Sequence, residues 1–146
     1  MTKRVIVEEM IEAPLAETFD WFYKSEHFIK SPIAFRSSWR GEKHKAGTRR
    51  DIVMIAGWYS EEITAVKKDR FIQYRVVKSV PSIRQDFTEI AFEVTSLGTK
   101  VTWTIDVDVP LSLLNKPMTG FAGQMAKTLY RTILKAGKKE LENEDK

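Results

Sequence analysis

The sequence contains two histidines, the side chains that titrate near neutrality and so the first candidates for proton transfer. His44 sits in the charged stretch Gly41-Glu42-Lys43-His44-Lys45-Ala46-Gly47, which reads as a solvated turn. His27 falls in a short helical segment, where a general acid or base role and a surface or capping role are both open. With no cysteine and two scattered histidines, a zinc site is not expected. Gly-x-Ser-x-Gly is absent, and no Ser/His/acid set follows from spacing. The nearest glycine pattern, Gly120-Phe121-Ala122-Gly123, opens a helix but lacks the lysine and hydroxyl of a phosphate loop. No catalytic residue and no cofactor is therefore assigned.

Charged residues at strand positions say more. Arg49 and Asp51 are two apart and share a face with Val53 and Ile55; Glu9 shares one with Val7 and Ile11, and Asp86 and Thr88 share one with Ile90 and Phe92. A charge facing a cavity must be paired or hydrated, and it can orient the polar end of a ligand. Such positions equally suit strand ends or an outer face. Aromatic residues are spread over several strands and both main helices. Trp21, Phe35, Trp39, Trp58, Tyr74, Phe92, Trp103 and Phe121, with the adaptable Met54 and Met125, join Arg49 and Asp51 as candidate ligand-binding residues. Each could equally be ordinary core, and Tyr59 and Tyr74 need hydrogen-bond partners if buried.

The elements that must position these groups follow in a clear order. Arg4 to Ala13 alternates as a strand, Pro14 stops it, and Leu15 to Tyr23 has helical period through Leu15, Phe19 and Phe22. A short helix or turn covers Ser25 to Lys30. Strands are expected at Ile33 to Arg40, with Phe35, Ser37 and Trp39 on one face, then at Thr48 to Ala56, Trp58 to Lys67, Phe71 to Ser79 and Arg84 to Thr95. The last, Thr99 to Val109, is the clearest. Its odd positions Val101, Trp103, Ile105, Val107 and Val109 are apolar and its even positions from Thr102 to Asp108 polar, the mark of a half-buried antiparallel strand. Met118 to Glu142 then reads as a helix of about 25 residues, roughly 35 Å long. Its apolar stripe is Met118, Phe121, Ala122, Met125, Leu129, Ile133 and Ala136, with Lys127, Arg131, Lys135 and Lys138 elsewhere. Strands segregated from helices imply an α+β domain, an antiparallel sheet with helices on one side. A sheet of six or seven strands curls, and a helix laid in its concave face tends to leave a pocket.

The chain has 146 residues, the size of one domain spanning 1–146. Its net charge of +4 comes from 24 basic and 20 acidic residues mixed along the chain, which reads as a solvated surface rather than a nucleic-acid footprint. Glu8, Glu9 and Glu12 interrupt any apolar run near the start, and no stretch suits a membrane span. A soluble cytoplasmic protein, monomeric or homodimeric, is expected.

The order of elements resembles the START/Bet v1-like (SRPBCC) superfamily, and more closely its bacterial polyketide cyclase/dehydrase-like branch. The likeness lies in Ile11-Glu12-Ala13-Pro14-Leu15-Ala16-Glu17-Thr18-Phe19-Asp20-Trp21, in Gly47-Thr48-Arg49-Arg50, which resembles the opening of the family's third strand, and in the long last helix. It implies a helix-grip fold: a curved antiparallel sheet of six to seven strands wrapped around the C-terminal helix, with two short helices after strand one. Members of this superfamily bind lipids, sterols, polyketides or hormones, close rings, or regulate chaperones. They share no catalytic motif, so none is carried over. The resemblance implies a protein that binds an apolar or amphipathic small molecule between sheet and helix. An alternative is a cyclase, dehydratase or hydrolase in which Arg49, Asp51, Tyr74 and His27 act on a carbonyl compound. A further one is a chaperone or stress-response module using Lys127, Arg131 and Lys135.

Overall fold

The structure is a computed structural model that describes residues 2–40, 46–55, 57–80, 84–108 and 116–143; within these, the side chains of 2, 3, 40, 84, 86, 107, 108, 116–126 and 143 lie outside the description. The chain forms β1 (Thr2–Ile11), α1 (Leu15–Tyr23), a 3-10 helix (Ser25–Lys30), then β2 (Ala34–Arg40), β3 (Arg49–Met54), β4 (Gly57–Lys67), β5 (Phe71–Val80), β6 (Arg84–Thr95), β7 (Gly98–Asp108) and α2 (Lys116–Asn143). The strands make one seven-stranded antiparallel sheet in the order β1-β7-β6-β5-β4-β3-β2.

Strand alternation builds one continuous inner face. In β7, Val101, Trp103 and Ile105 are fully buried. Val5 and Val7 of β1 stand opposite Ile105 and Trp103, and Ile90 and Phe92 of β6 stand opposite Trp103 and Val101. The layer continues through Ile72 and Tyr74 of β5 to Ile63 of β4. Burying Trp103 alone, about 200 Å² at roughly 25 cal/mol per Å², contributes on the order of 5 kcal/mol. α1 covers one end of this face: Phe19 and Phe22 lie 5.2 and 5.9 Å from the Phe92 ring. The Trp103 and Tyr130 rings, 4.6 Å apart, bring α2 onto β7.

Two bulges alter the face that simple alternation assigns. One in β2, between Ala34 and Arg36, breaks the phase of Phe35 with Ser37 and Trp39. Ala34 is buried and Phe35 is 60% exposed. The other, in β6 between Arg84 and Phe87, brings Gln85 inside at 2% exposure. Gln85 thus supplies the inner polar group expected of Asp86, whose side chain lies outside the description.

The buried stripe of α2 is also rotated from the one expected. Ile133, Leu134, Gly137 and Leu141 are buried, while Leu129 and Ala136 are only half-buried. Glycine is the cause. A Cβ on Gly137 would lie 2.9 Å from Trp21 Cζ3 and 3.1 Å from Phe22 Cζ, so α2 meets α1 through bare backbone. Lys138, expected on the wet side, donates from Nζ to the Met10 carbonyl at 2.6 Å and pairs with Glu142 at 2.8 Å. Gly137→Ala should lower stability by about 1 kcal/mol or more. The roughly 1 kcal/mol gained in helix propensity is outweighed by overpacking two rings, which typically costs about 1–3 kcal/mol. Urea unfolding measures it, and a raised midpoint would show that Trp21 yields.

Candidate functional site

The hairpin of β3 and β4 places Arg50 directly opposite Glu61. Both share strand parity with apolar neighbours, Ile52 and Met54 on β3 and Tyr59 and Ile63 on β4, so both point into the concave side. Arg50 Nε donates to Glu61 Oε1 at 2.9 Å, with side chains 1% and 6% exposed. The guanidinium carbon lies 4.7 Å from the centroid of Tyr74, 5.6 Å from that of Trp39 and 5.7 Å from that of Phe28. These rings come from β5, β2 and the 3-10 helix. Trp39 is itself held by its indole N–H, which donates to Glu26 on the 3-10 helix. Both terminal nitrogens of Arg50, Nη1 and Nη2, are buried without a hydrogen-bond partner. A planar cation with its inner edge pinned and its outer fork free suits a planar oxyanion or a carbonyl group.

Beside the cation runs a set of neutral donors. Trp103 Nε1 donates to the Tyr74 hydroxyl at 3.1 Å. Gln85 Nε2 donates to the Thr88 hydroxyl at 2.6 Å and to the Tyr130 hydroxyl at 3.2 Å. Burial, reinforced by the charge of Glu61, pushes both the Tyr74 and the Tyr130 phenol well above their ordinary value of 10.0. They stay protonated through the physiological range. Burial also raises the Glu61 carboxyl, against the opposing pull of the adjacent Arg50.

The candidate residues named from sequence separate into groups. Trp39, Tyr74 and Trp103 lie in or next to the Arg50 cluster, and Met54, on the same face of β3, packs against the hydrophobic core. Phe92 is buried at the other end of the face, against Phe19 and Phe22. Trp21 packs against α2 and a neighbouring cleft. Arg49, Asp51 and Trp58 have the opposite strand parity and lie on the outer side of the sheet, where Arg49 Nη2 donates to Ser60 Oγ at 2.8 Å. Phe35 is exposed at its bulge, and the side chains of Phe121 and Met125 lie outside the described residues. His27 donates from Nδ1 to the Trp21 carbonyl at 2.9 Å and stacks on that indole. Arg49, Asp51, Tyr74 and His27 are therefore not gathered at a common point. Arg50, Glu61, Gln85 and Tyr130 were missed. The signal for the first two was present: a charge on the apolar parity of each of two strands joined by a short turn.

A cleft of about 420 Å³ opens between α1, the 3-10 helix and the end of α2, lined by Ala16, Glu17, Asp20, Trp21, His27 and Leu141 with Glu140. Within it Trp21 Nε1 donates to Glu140 at 3.3 Å, and Asp20 pairs at 3.1 Å with Lys24, which lies outside the lining. Among the described residues no cluster of three metal-ligating side chains occurs, and no helix is long and apolar enough to cross a membrane.

Comparison with known proteins places this geometry in a family. The family described as "Polyketide cyclase / dehydrase and lipid transport" matches residues 2–142, and the chain belongs to it. Such proteins handle hydrophobic small molecules. Solved structures share the fold at low identity. TTHA0849 from Thermus thermophilus is 14% identical, with TM-score 0.84 over 99% of this chain and 100% of that one. Major latex-like protein 151 from Panax ginseng is 15% identical, with TM-score 0.76 over 97% and 98%. MLL2253 from Mesorhizobium loti is 16% identical, with TM-score 0.75 over 97% and 98%. The fold is thus the Bet v1-like helix-grip fold. No curated protein sequence matches the chain.

Two outcomes follow from the buried charges and phenols. Glu61→Leu strands an unpaired cation and should cost about 3–5 kcal/mol, whereas Arg50→Met with Glu61→Leu should recover most of that loss. Urea unfolding of the three variants closes the cycle. Below about pH 10 the Tyr74 and Tyr130 phenols are protonated in folded and unfolded chains alike, so pH leaves stability unchanged through them. As pH rises past that value the unfolded chain loses its phenolic protons first and stability falls. Phenolate absorbance followed beside circular dichroism should show these tyrosines ionising only as the chain unfolds.

Proposed function

We propose that this protein binds an apolar or amphipathic small molecule between the concave face of the sheet and α2, with the ligand's polar end at Arg50. The observation that carries this reading is the Arg50 guanidinium, buried on the concave side with both terminal nitrogens unpartnered. A buried donor without a partner is strongly disfavoured, so a fold that keeps one there has a group to meet it. The surrounding rings of Phe28, Trp39 and Tyr74 offer flat apolar walls. Membership of a family associated with polyketide chemistry and lipid transport supports the same reading. The outer surface carries charges of both signs in pairs, Arg4 with Asp106 and Arg75 with Glu62, which favours a small-molecule partner over nucleic acid. The absence of cysteine suits work in the reducing cytoplasm.

The four tryptophan indole N–H groups report on different places. Trp39 and Trp103 lie inside, Trp58 on the outer side of the sheet, and Trp21 beside the cleft. In a proton–nitrogen NMR titration with 2-naphthoate and 2-naphthylmethanol, at least one compound should shift Trp39 and Trp103 while leaving Trp58 in place. Shifts at Trp21 alone would move the site to the cleft. If neither compound moves Trp39 or Trp103, the reading fails.

A further inference from the structure

Arg50 is shared. Its Nε is bonded to Glu61 Oε1, and its end-on fork, Nη1 with Nη2, is free. That fork presents two parallel N–H donors, a geometry matched by the two oxygens of one carboxylate. A hydroxyl or a single carbonyl satisfies only part of it, and an ammonium is repelled. Charge balance adds a second consequence. The described charged and titratable groups around Glu61 are Arg50 from β3, Tyr59 on its own strand, Tyr74 from β5 and Tyr130 from α2. Phe28 and Trp39 close the other sides of Arg50 with neutral rings, and the half-buried Glu26 of the 3-10 helix lies beyond Trp39, accepting from its indole N–H. The phenols are neutral, so this buried cluster holds one cation and one anion. A second anion on the same cation leaves a buried net negative charge, which is relieved when one carboxyl takes a proton from solvent.

We propose that the free fork of Arg50 docks a carboxylate carried by the ligand, and that binding this anion puts a proton from water on Glu61. The inference rests on the reading above of the concave side as a ligand site and narrows it to amphipathic acids. Glu61 is the group that yields, since its burial already works against its charge. Binding is then coupled to pH: affinity for the anion falls as pH rises, by up to roughly tenfold per unit where a full proton is taken up. A protein of this kind holds its acid in a mildly acidic setting and releases it in an alkaline one.

The test compares 2-naphthoate, 2-naphthylmethanol and 2-naphthylmethylammonium, which share one ring system and differ in charge. Titration calorimetry of the full chain from about pH 5 to about pH 8, in buffers of different ionisation enthalpy, gives affinity and proton uptake together. The naphthoate should bind roughly tenfold tighter than the alcohol, with the ammonium weakest, since a hydrogen bond to a charged group exceeds a neutral one by about that factor. Proton uptake should accompany the naphthoate and be absent with the alcohol. Arg50→Met should bring acid and alcohol to parity, and Glu61→Gln should abolish the uptake while keeping the preference for the acid. The measurements on the unaltered protein decide the matter even if a variant fails to fold. Equal binding of acid and alcohol, or acid binding with no proton uptake at any pH, overturns the inference and leaves the small-molecule reading standing. Failure of all three to move Trp39 and Trp103 removes that reading itself.

Discussion

Burying one guanidinium organises the concave side of this molecule. Arg50 has to be neutralised, and Glu61 does so from the facing strand at 2.9 Å. The register that brings Glu61 there includes a shift against β5 between Ser60 and Glu61, so β4 departs from regular pairing next to the ion pair. The cation also has to be covered. Phe28 and Glu26 explain why a short 3-10 helix follows α1: the first lays its ring on Arg50, and the second fixes Trp39, which does the same from β2. A pair buried to this depth is a poor stabiliser, because well-packed apolar residues of the same volume generally do as well or better. Stability alone therefore does not account for it.

The neighbouring polar groups follow the same logic. Trp103 and Gln85 are buried in a face otherwise made of aliphatic and aromatic residues, and both spend their N–H groups on oxygens of Thr88, Tyr74 and Tyr130. Each phenol is kept neutral by its surroundings. The result is an interior rich in donors around a single shared charge pair, rather than a plain hydrocarbon core.

Much of the fold was legible because alternation and helical period depend on burial alone. The β7 pattern from Val101 to Ile105, the β1 set Val5, Val7 and Ile11, and the α1 face with Phe19 and Phe22 all sit where their spacing placed them. What was not legible turned on one-residue phase changes. A bulge between Ala34 and Arg36 expels Phe35, and another in β6 makes Gln85 the inner polar residue. Period alone does not reveal either, since an inserted residue leaves composition unchanged. Arg50 was obscured differently. Arg49 and Asp51 flank it as an i, i+2 pair of opposite charge, which draws attention to the wrong face. Its own parity with Ile52 and Met54 marks it as inward only once one accepts a charged residue in the core. Pairing it with Glu61 across the short hairpin turn makes that acceptable, because each charge then answers the other.

The two ends of α2's described half carry different duties. At the C-terminal end the helix is clamped. Gly137 lets it press on Trp21 and Phe22, Lys138 bonds the Met10 carbonyl, and Glu142 accepts from the Glu12 amide at 3.2 Å. Tyr130, seven residues upstream of Gly137 and so about 10 Å along the axis, stands over Trp103 with its hydroxyl bonded by Gln85. A helix fixed this firmly at one end sets the position of Tyr130 through its own rigidity. The polar cluster then need not hold the helix down. Glycine, tryptophan and lysine lock α2 to the start of the chain, whereas at Arg50 the fold tolerates a less stable arrangement.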